Sequence, residues 1–161
     1  MVDVRLRSVR RQDLATIIDL FARSVETLAV SHYDAAARRV WASFAQQESF
    51  WSSVLAAETL VADIDGEIAG FAGLLPSDHV EWLYVAPEAS RRGVARRLVG
   101  ALIENARRAG HVRVTTEASA VAKPVFEQLG FRVIGEERVV REGIEFLRYR
   151  MQCDLDARSA N

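Results

Sequence analysis

The chain has 161 residues, half of them hydrophobic and 27% charged, which is the size and composition of one globular domain with its own core. A net charge of −1 leaves no basic excess for nucleic acid, and no apolar run approaches the roughly 20 residues that cross a bilayer. The single cysteine, Cys153, has no partner for an internal disulfide, as expected of a chain in the reducing cytoplasm.

At the start, Val2, Val4 and Leu6 alternate with polar residues as in a half-buried strand, a pattern unlike the continuous apolar core of a signal peptide. Asp13 is positioned to cap the helix that follows, whose apolar face comprises Leu14, Ile17, Ile18, Phe21, Val25 and Leu28. After the loop Ser31-His32-Tyr33, a second helix follows Asp34, with Val40, Trp41 and Phe44 on one side. A short third helix holds Trp51, Val54 and Leu55.

Thr59–Ile64 and Glu67–Leu75 flank Asp65-Gly66, a two-residue hairpin signal. The turn Pro76-Ser77-Asp78 leads into a strand over His79–Val85. Helical spacing returns from Val94 to Ala109 and stops at Gly110; Val112, Val114 and Thr116 mark a strand, and Ala122–Leu129 a helix closed by Gly130. Phe131–Arg141 and Ile144–Met151 surround Glu142-Gly143 as a closing hairpin. The order predicts one α/β (α+β) domain over 1–155, with a mixed, mostly antiparallel sheet of about seven strands flanked by helices. Residues 156–161 read as a polar tail.

The segment Val85-Ala86-Pro87-Glu88-Ala89-Ser90-Arg91-Arg92-Gly93-Val94-Ala95-Arg96-Arg97 joins a strand to a long helix. Gly93 and Ala95 let the backbone approach a ligand, and the free N–H groups of a helix start favour an anion. Arg91, Arg92, Arg96 and Arg97 add positive charge where phosphates would sit. The phosphate turns G-x-x-x-x-G-K-S/T and G-x-G-x-x-G are absent.

Here the chain resembles the GNAT superfamily of N-acetyltransferases, whose motif is Q/R-x-x-G-x-G/A after a strand ending in V-x-P. Ser90-Arg91-Arg92-Gly93-Val94-Ala95 follows Val85-Ala86-Pro87 and departs only at Ser90. Downstream, Ala122-Lys123-Pro124-Val125-Phe126-Glu127-Gln128-Leu129-Gly130-Phe131 looks like the family's A-x-x-F-Y-E-x-x-G-F segment. Phe126 in place of Tyr, together with His79-Val80-Glu81-Trp82-Leu83-Tyr84-Val85 and the closing hairpin, is similar to the YafP-type branch of small bacterial acetyltransferases.

The resemblance implies acetyl-CoA as cosubstrate and no metal. Main-chain N–H groups from Arg92 to Arg96 would bind the pyrophosphate, and main-chain groups of Leu83 and Val85 would pair with the pantetheine arm. Ser119 stands where many relatives carry Asn for that arm, Phe126 where many carry a Tyr that protonates the leaving thiolate, and Tyr33 in the loop that covers the acceptor. It also allows for a homodimer through exposed strands.

Acetyl transfer to an amine requires removal of a proton from a group with a pKa near ~10. Glu81 and His79 are the candidate bases. They stand two apart on the strand entering the cofactor turn, so both are expected on one side with Leu83 next, and Trp82 opposite in a packing role. The expected function is transfer of acetyl from acetyl-CoA to a small-molecule primary amine by direct attack on the thioester. The alternative, prompted by Ser90 and Phe126, is a non-catalytic coenzyme A-binding sensor or structural module.

Overall fold

The computed structural model describes residues 3–155; Val2 and the tail 156–161 lie outside the described residues. In chain order these residues form β1 (Arg5–Ser8), α1 (Leu14–Leu28), α2 (Ala35–Ser43), α3 (Glu48–Ala56), β2 (Glu58–Ile64), β3 (Glu67–Leu75) and β4 (His79–Val85). They continue through α4 (Val94–Arg108), β5 (Arg113–Ala118), α5 (Lys123–Gln128), β6 (Arg132–Arg141) and β7 (Ile144–Asp154). One sheet takes all seven of these strands in the order β1-β2-β3-β4-β5-β7-β6. Every neighbouring pair is antiparallel except β4 and β5, which run parallel through the α4 crossover.

Side-chain periodicity sets which helices cover which face. Ile17, Leu20, Phe21 and Val25 form the buried stripe of α1. Phe21 stacks on Tyr84 with ring centroids 4.1 Å apart, and Phe50 of α3 meets Phe71 and Trp82 edge-on. Thus α1 and α3 cover the face that carries Phe71, Trp82 and Tyr84. The opposite face receives α4. A Cβ on Gly70 would lie 3.0 Å from Val94 Cγ1 and 3.3 Å from Leu98 Cδ1, so a side chain there would push the start of α4 back by a few tenths of an ångström. Gly110 and Gly130, both at positive φ, end α4 and α5 as expected, with His111 N–H returning to Ala106 O and Phe131 N–H to Phe126 O.

Three local expectations need correction. Asp13 does not cap α1 through its side chain. It closes the preceding tight turn Arg11–Asp13, accepting Arg10 N–H at 2.7 Å and both terminal nitrogens of Arg7 at 2.8 and 3.0 Å. The stronger charged donor takes the carboxylate, and its hydrogen bonds hold the Asp13 carboxyl below its ordinary range. Val112, counted with the β5 face, is 70% exposed and precedes the strand. The last strand runs beyond Met151 to Asp154, which makes Cys153 a buried residue of the sheet, its thiol pushed up chiefly by burial.

Candidate active site

The central feature of the sheet is a gap. β4 and β5 pair only at His79–Thr115 and Val80–Thr116, although β4 runs on to Val85 and β5 to Ala118. Opposite Gly73 and Leu74 the register of β4 slips by one residue, so Glu81 is bulged. Ala86 N–H bonds Ala69 O at 2.8 Å. By the two-residue alternation of an antiparallel ladder, Tyr84 and Trp82 therefore direct their main chain toward β3, and Leu83 and Val85 direct theirs into the gap. The bulge reverses the alternation inside a single strand.

It also revises the expected side-chain arrangement. Leu83 pairs with Ala72 and lies on the face of Val80, not of His79. Trp82 packs as expected, against Phe50, but it shares His79's face. Gly73 makes that possible, since a Cβ there would lie 2.3 Å from the Trp82 ring.

A cavity of about 490 Å³ lies at the gap, lined by residues from both faces of the sheet. On the α1 side it is lined by His79, Glu81, Tyr33, Trp41 and Phe146; on the α5 side by Ala122 and Phe126. Leu83 and Ser119 line its walls. His79 Nδ1 lies 2.8 Å from Thr115 Oγ1, and Nε2 lies 3.7 Å from Glu81 Oε2. The two base candidates are therefore neighbours at one cavity wall, with Glu81 the more exposed.

Tyr84 accepts a hydrogen bond from Trp41 Nε1 at 3.0 Å, and burial pushes its phenol well above the ordinary range. The Tyr33 hydroxyl lies 3.5 Å from Ala120 N, and burial raises its pKa as well. Phe126 is buried against Phe131 and carries no hydroxyl into the cavity.

Beyond the gap the chain passes through Ser90 and enters α4 by two left-handed residues, Arg91 at φ 64° and Gly93 at φ 79°. Arg97 N–H makes the first helical bond, to Gly93 O at 3.0 Å, so the N–H groups of Val94, Ala95 and Arg96 precede the ladder and point away from the helix end. A Cβ at Gly93 would have nothing within 4 Å, which leaves open space over the turn. Arg91 and Arg92 are exposed beside it. Arg96 donates to Gln128 and ties α4 to α5, while Lys123 is engaged by Glu127 and by the Tyr149 ring.

Sequence reasoning did not single out Thr115, which orients His79, or Thr116, whose buried hydroxyl donates to Val80 O at 2.8 Å across the last paired residues. It also missed Phe146 and Arg148, which reach the cavity from β7; Arg148 bridges Glu117 and Glu137 at 2.8 and 2.7 Å. The available signal was alternation on β5 and β7, but only the strand order shows that these residues stand beside β4.

A sheet opened between its two parallel strands, with a helix start at the mouth, is built to take an extended ligand that ends in an anion, and comparison with known proteins gives the family. The profile of the acetyltransferase (GNAT) domain matches residues 28–153, so the chain belongs to the GNAT family of acetyltransferases. It is 31% identical over 153 residues to the N-acetyltransferase YafP of Escherichia coli (strain K12), covering 94% of this chain and 97% of that protein. A crystal structure of a GCN5-related N-acetyltransferase from Rhodopseudomonas palustris superposes with a TM-score of 0.92 at 29% identity, covering 96% and 98% of the two chains. The PaiA N-acetyltransferase of Thermoplasma acidophilum, solved in complex with coenzyme A, has a TM-score of 0.77 at 16% identity, covering 95% and 99%.

Proposed function

We propose that this acetyltransferase moves the acetyl group of acetyl-CoA onto the primary amine of a small molecule in the cytoplasm, by direct attack on the thioester. The observation that carries the reading is the gap, where Leu83 lines the cavity and the main-chain groups of Leu83 and Val85, unpaired with β5, lead on to the N–H groups at the start of α4. An extended pantetheine arm can pair with such an edge as an added strand. The pyrophosphate then meets the N–H groups of Gly93, Val94, Ala95 and Arg96, with Arg91 and Arg92 supplying charge, after the chain turns at Ser90. Ser119 and Phe126 line the path of the arm on the α5 side, and Tyr33 lines the acceptor side.

Position separates the roles of the two base candidates: His79 is the less exposed and is held by Thr115, while Glu81 stands further out toward solvent. In the tautomer whose Nδ1–H donates to Thr115 Oγ1, His79 keeps an Nε2 lone pair for the amine's proton, while Glu81 draws in and orients the cationic amine. Main-chain N–H groups of β4 meet the developing oxyanion. Tyr84 and Tyr33, both with raised pKa values, hydrogen-bond the departing thiolate rather than protonate it. A thiol pKa near ~8.5 lets that thiolate leave without a strong acid, which fits Phe126.

Calorimetry with acetyl-CoA, followed by thiol release against a panel of amines, tests the reading. His79→Gln should lower kcat/KM by about 10²–10⁴, whereas Glu81→Gln should act mainly on KM for the amine. Tight coenzyme A binding with no thiol release from any amine would instead favour a coenzyme A-binding module, the reading prompted by Ser90 and Phe126.

A further inference from the structure

The cavity at the gap carries its charge unevenly. At the His79 end stand Glu81 and Glu117, and Arg148, which pairs with Glu117 at 2.8 Å, is shared with Glu137 at 2.7 Å. Two carboxylates divide one guanidinium there, and among the described residues Glu81 has only the imidazole of His79 as a partner, at 3.7 Å. This end is net negative whatever the charge on His79. The other end belongs to the β6–β7 hairpin, which lends the cavity Val139, Arg141 and Phe146. On that hairpin Arg138 is matched to Glu145. Arg141 is not matched: among the described residues no carboxylate pairs with it, and it donates from Nη1 to its neighbour's carbonyl, Val140 O, at 3.0 Å.

The two ends lie well apart. Glu117 stands opposite Arg150 and Arg141 opposite Ile144, and the stretch of β7 between those two levels is roughly 20 Å long at about 3.4 Å per residue. The Arg141 side chain reaches back over part of that length. Between the ends the wall is aromatic: Phe146 and Tyr33 have ring centroids 6.1 Å apart, and Tyr33 meets Trp41 edge-on at 5.2 Å. An ammonium is drawn to the first end and an anion to the second. A single planar guanidinium matches a carboxylate through two parallel hydrogen bonds, whereas a doubly charged phosphate would call for a second free cation. Resting on the acetyl transfer proposed above, we propose that the acceptor is an elongated amino acid whose amine enters beside Glu81 and His79 and whose carboxylate ends at Arg141. Its apolar body lies along Tyr33, Trp41 and Phe146. An α-amino acid, with both groups on one carbon, is too short to reach both ends.

Thiol release from acetyl-CoA with straight-chain ω-amino acids of increasing length, each beside its carboxamide and the diamine of that length, tests the assignment. Above a threshold length the acid should exceed its carboxamide and the diamine in kcat/KM by about tenfold or more, and glycine should be poor. Arg141→Gln should bring the acid down to the level of the carboxamide, and Arg141→Glu should turn the preference toward the diamine, a gain that mere loss of structure would not produce. Equal turnover of acid and carboxamide, a preference of the unaltered protein for the diamine, or an acid preference that survives Arg141→Gln would each overturn the proposal while leaving acetyl transfer to amines standing. Should no amine release thiol, the transfer reading fails and calorimetry of the same compounds on the coenzyme A complex decides the site by itself. Binding of the long acids that is lost in Arg141→Gln would support it, and binding indifferent to the carboxylate or to Arg141 would overturn it.

Discussion

The sheet is two continuous leaves that meet at a partial joint. From β1 to β4 each strand is hydrogen-bonded along most of its length, and so are β5, β7 and β6. Between β4 and β5 pairing stops after His79–Thr115 and Val80–Thr116. Closed leaves satisfy their main-chain groups internally and offer a ligand little. The joint leaves such groups free, and the cavity, the base candidates and the entrance to α4 all gather there. In this fold the site lies where pairing is withheld, and the leaves serve to hold the opening rigid.

If that division is real, damage to a closed leaf should appear as lost stability. The largest such loss is expected from Gly73→Ala, because the new methyl would overlap the Trp82 ring at 2.3 Å and crowd Thr59 Oγ1 at 3.0 Å. Overpacking of this kind costs about 3 kcal/mol, readable from denaturant unfolding. A change below about 0.5 kcal/mol would mean that Trp82 is free to move, and the leaf would not be the stiff support described. Asp13→Asn comes next, at about 2 kcal/mol near neutral pH, because it weakens charge-assisted hydrogen bonds to Arg7 and Arg10 N–H. Its pH dependence follows from the direction of the shift. The folded carboxyl titrates below its unfolded value, so its stabilisation is complete above about pH 4 and is lost as the pH falls through the folded pKa. The variant should therefore lose less stability on acidification than the wild type. Parallel acid limbs for the two proteins would remove Asp13 from the account.

Much of the leaves was legible in the sequence. Asp65-Gly66 and Glu142-Gly143 marked two hairpins, Gly110 and Gly130 ended their helices, and Gly93 marked the mouth of the site, each because a positive φ leaves a local trace. The joint was less visible. The bulge at Glu81 depends on how β4 slips against β3, so simple alternation placed Leu83 on the wrong side. Thr115 and Phe146 enter the site through neighbours distant in the chain. Asp13 failed for a related reason: a helix-start aspartate reads as a cap unless one knows that Arg7 lies across from it.

Two buried threonines allow the leaf and the joint to be compared directly. Thr59 Oγ1, on β2 of the closed leaf, donates to Val54 O of α3 at 2.7 Å, and Thr116 Oγ1 donates to Val80 O at 2.8 Å across the joint. Both residues are almost fully buried, at 2% and 3% exposure, so removing either hydroxyl as Thr→Val should cost a similar amount, about 1 kcal/mol. Their effects on catalysis should differ. Thr59→Val leaves the spacing of β4 and β5 untouched and should leave KM for acetyl-CoA unchanged. Thr116→Val removes a side-chain clasp at the point where the strands diverge, and KM for acetyl-CoA should rise several-fold. Unfolding and steady-state kinetics on the two variants supply both readings. Equal shifts in KM would show that the gap responds to overall stability alone, because a local joint must feel the bond that spans it more than one buried elsewhere.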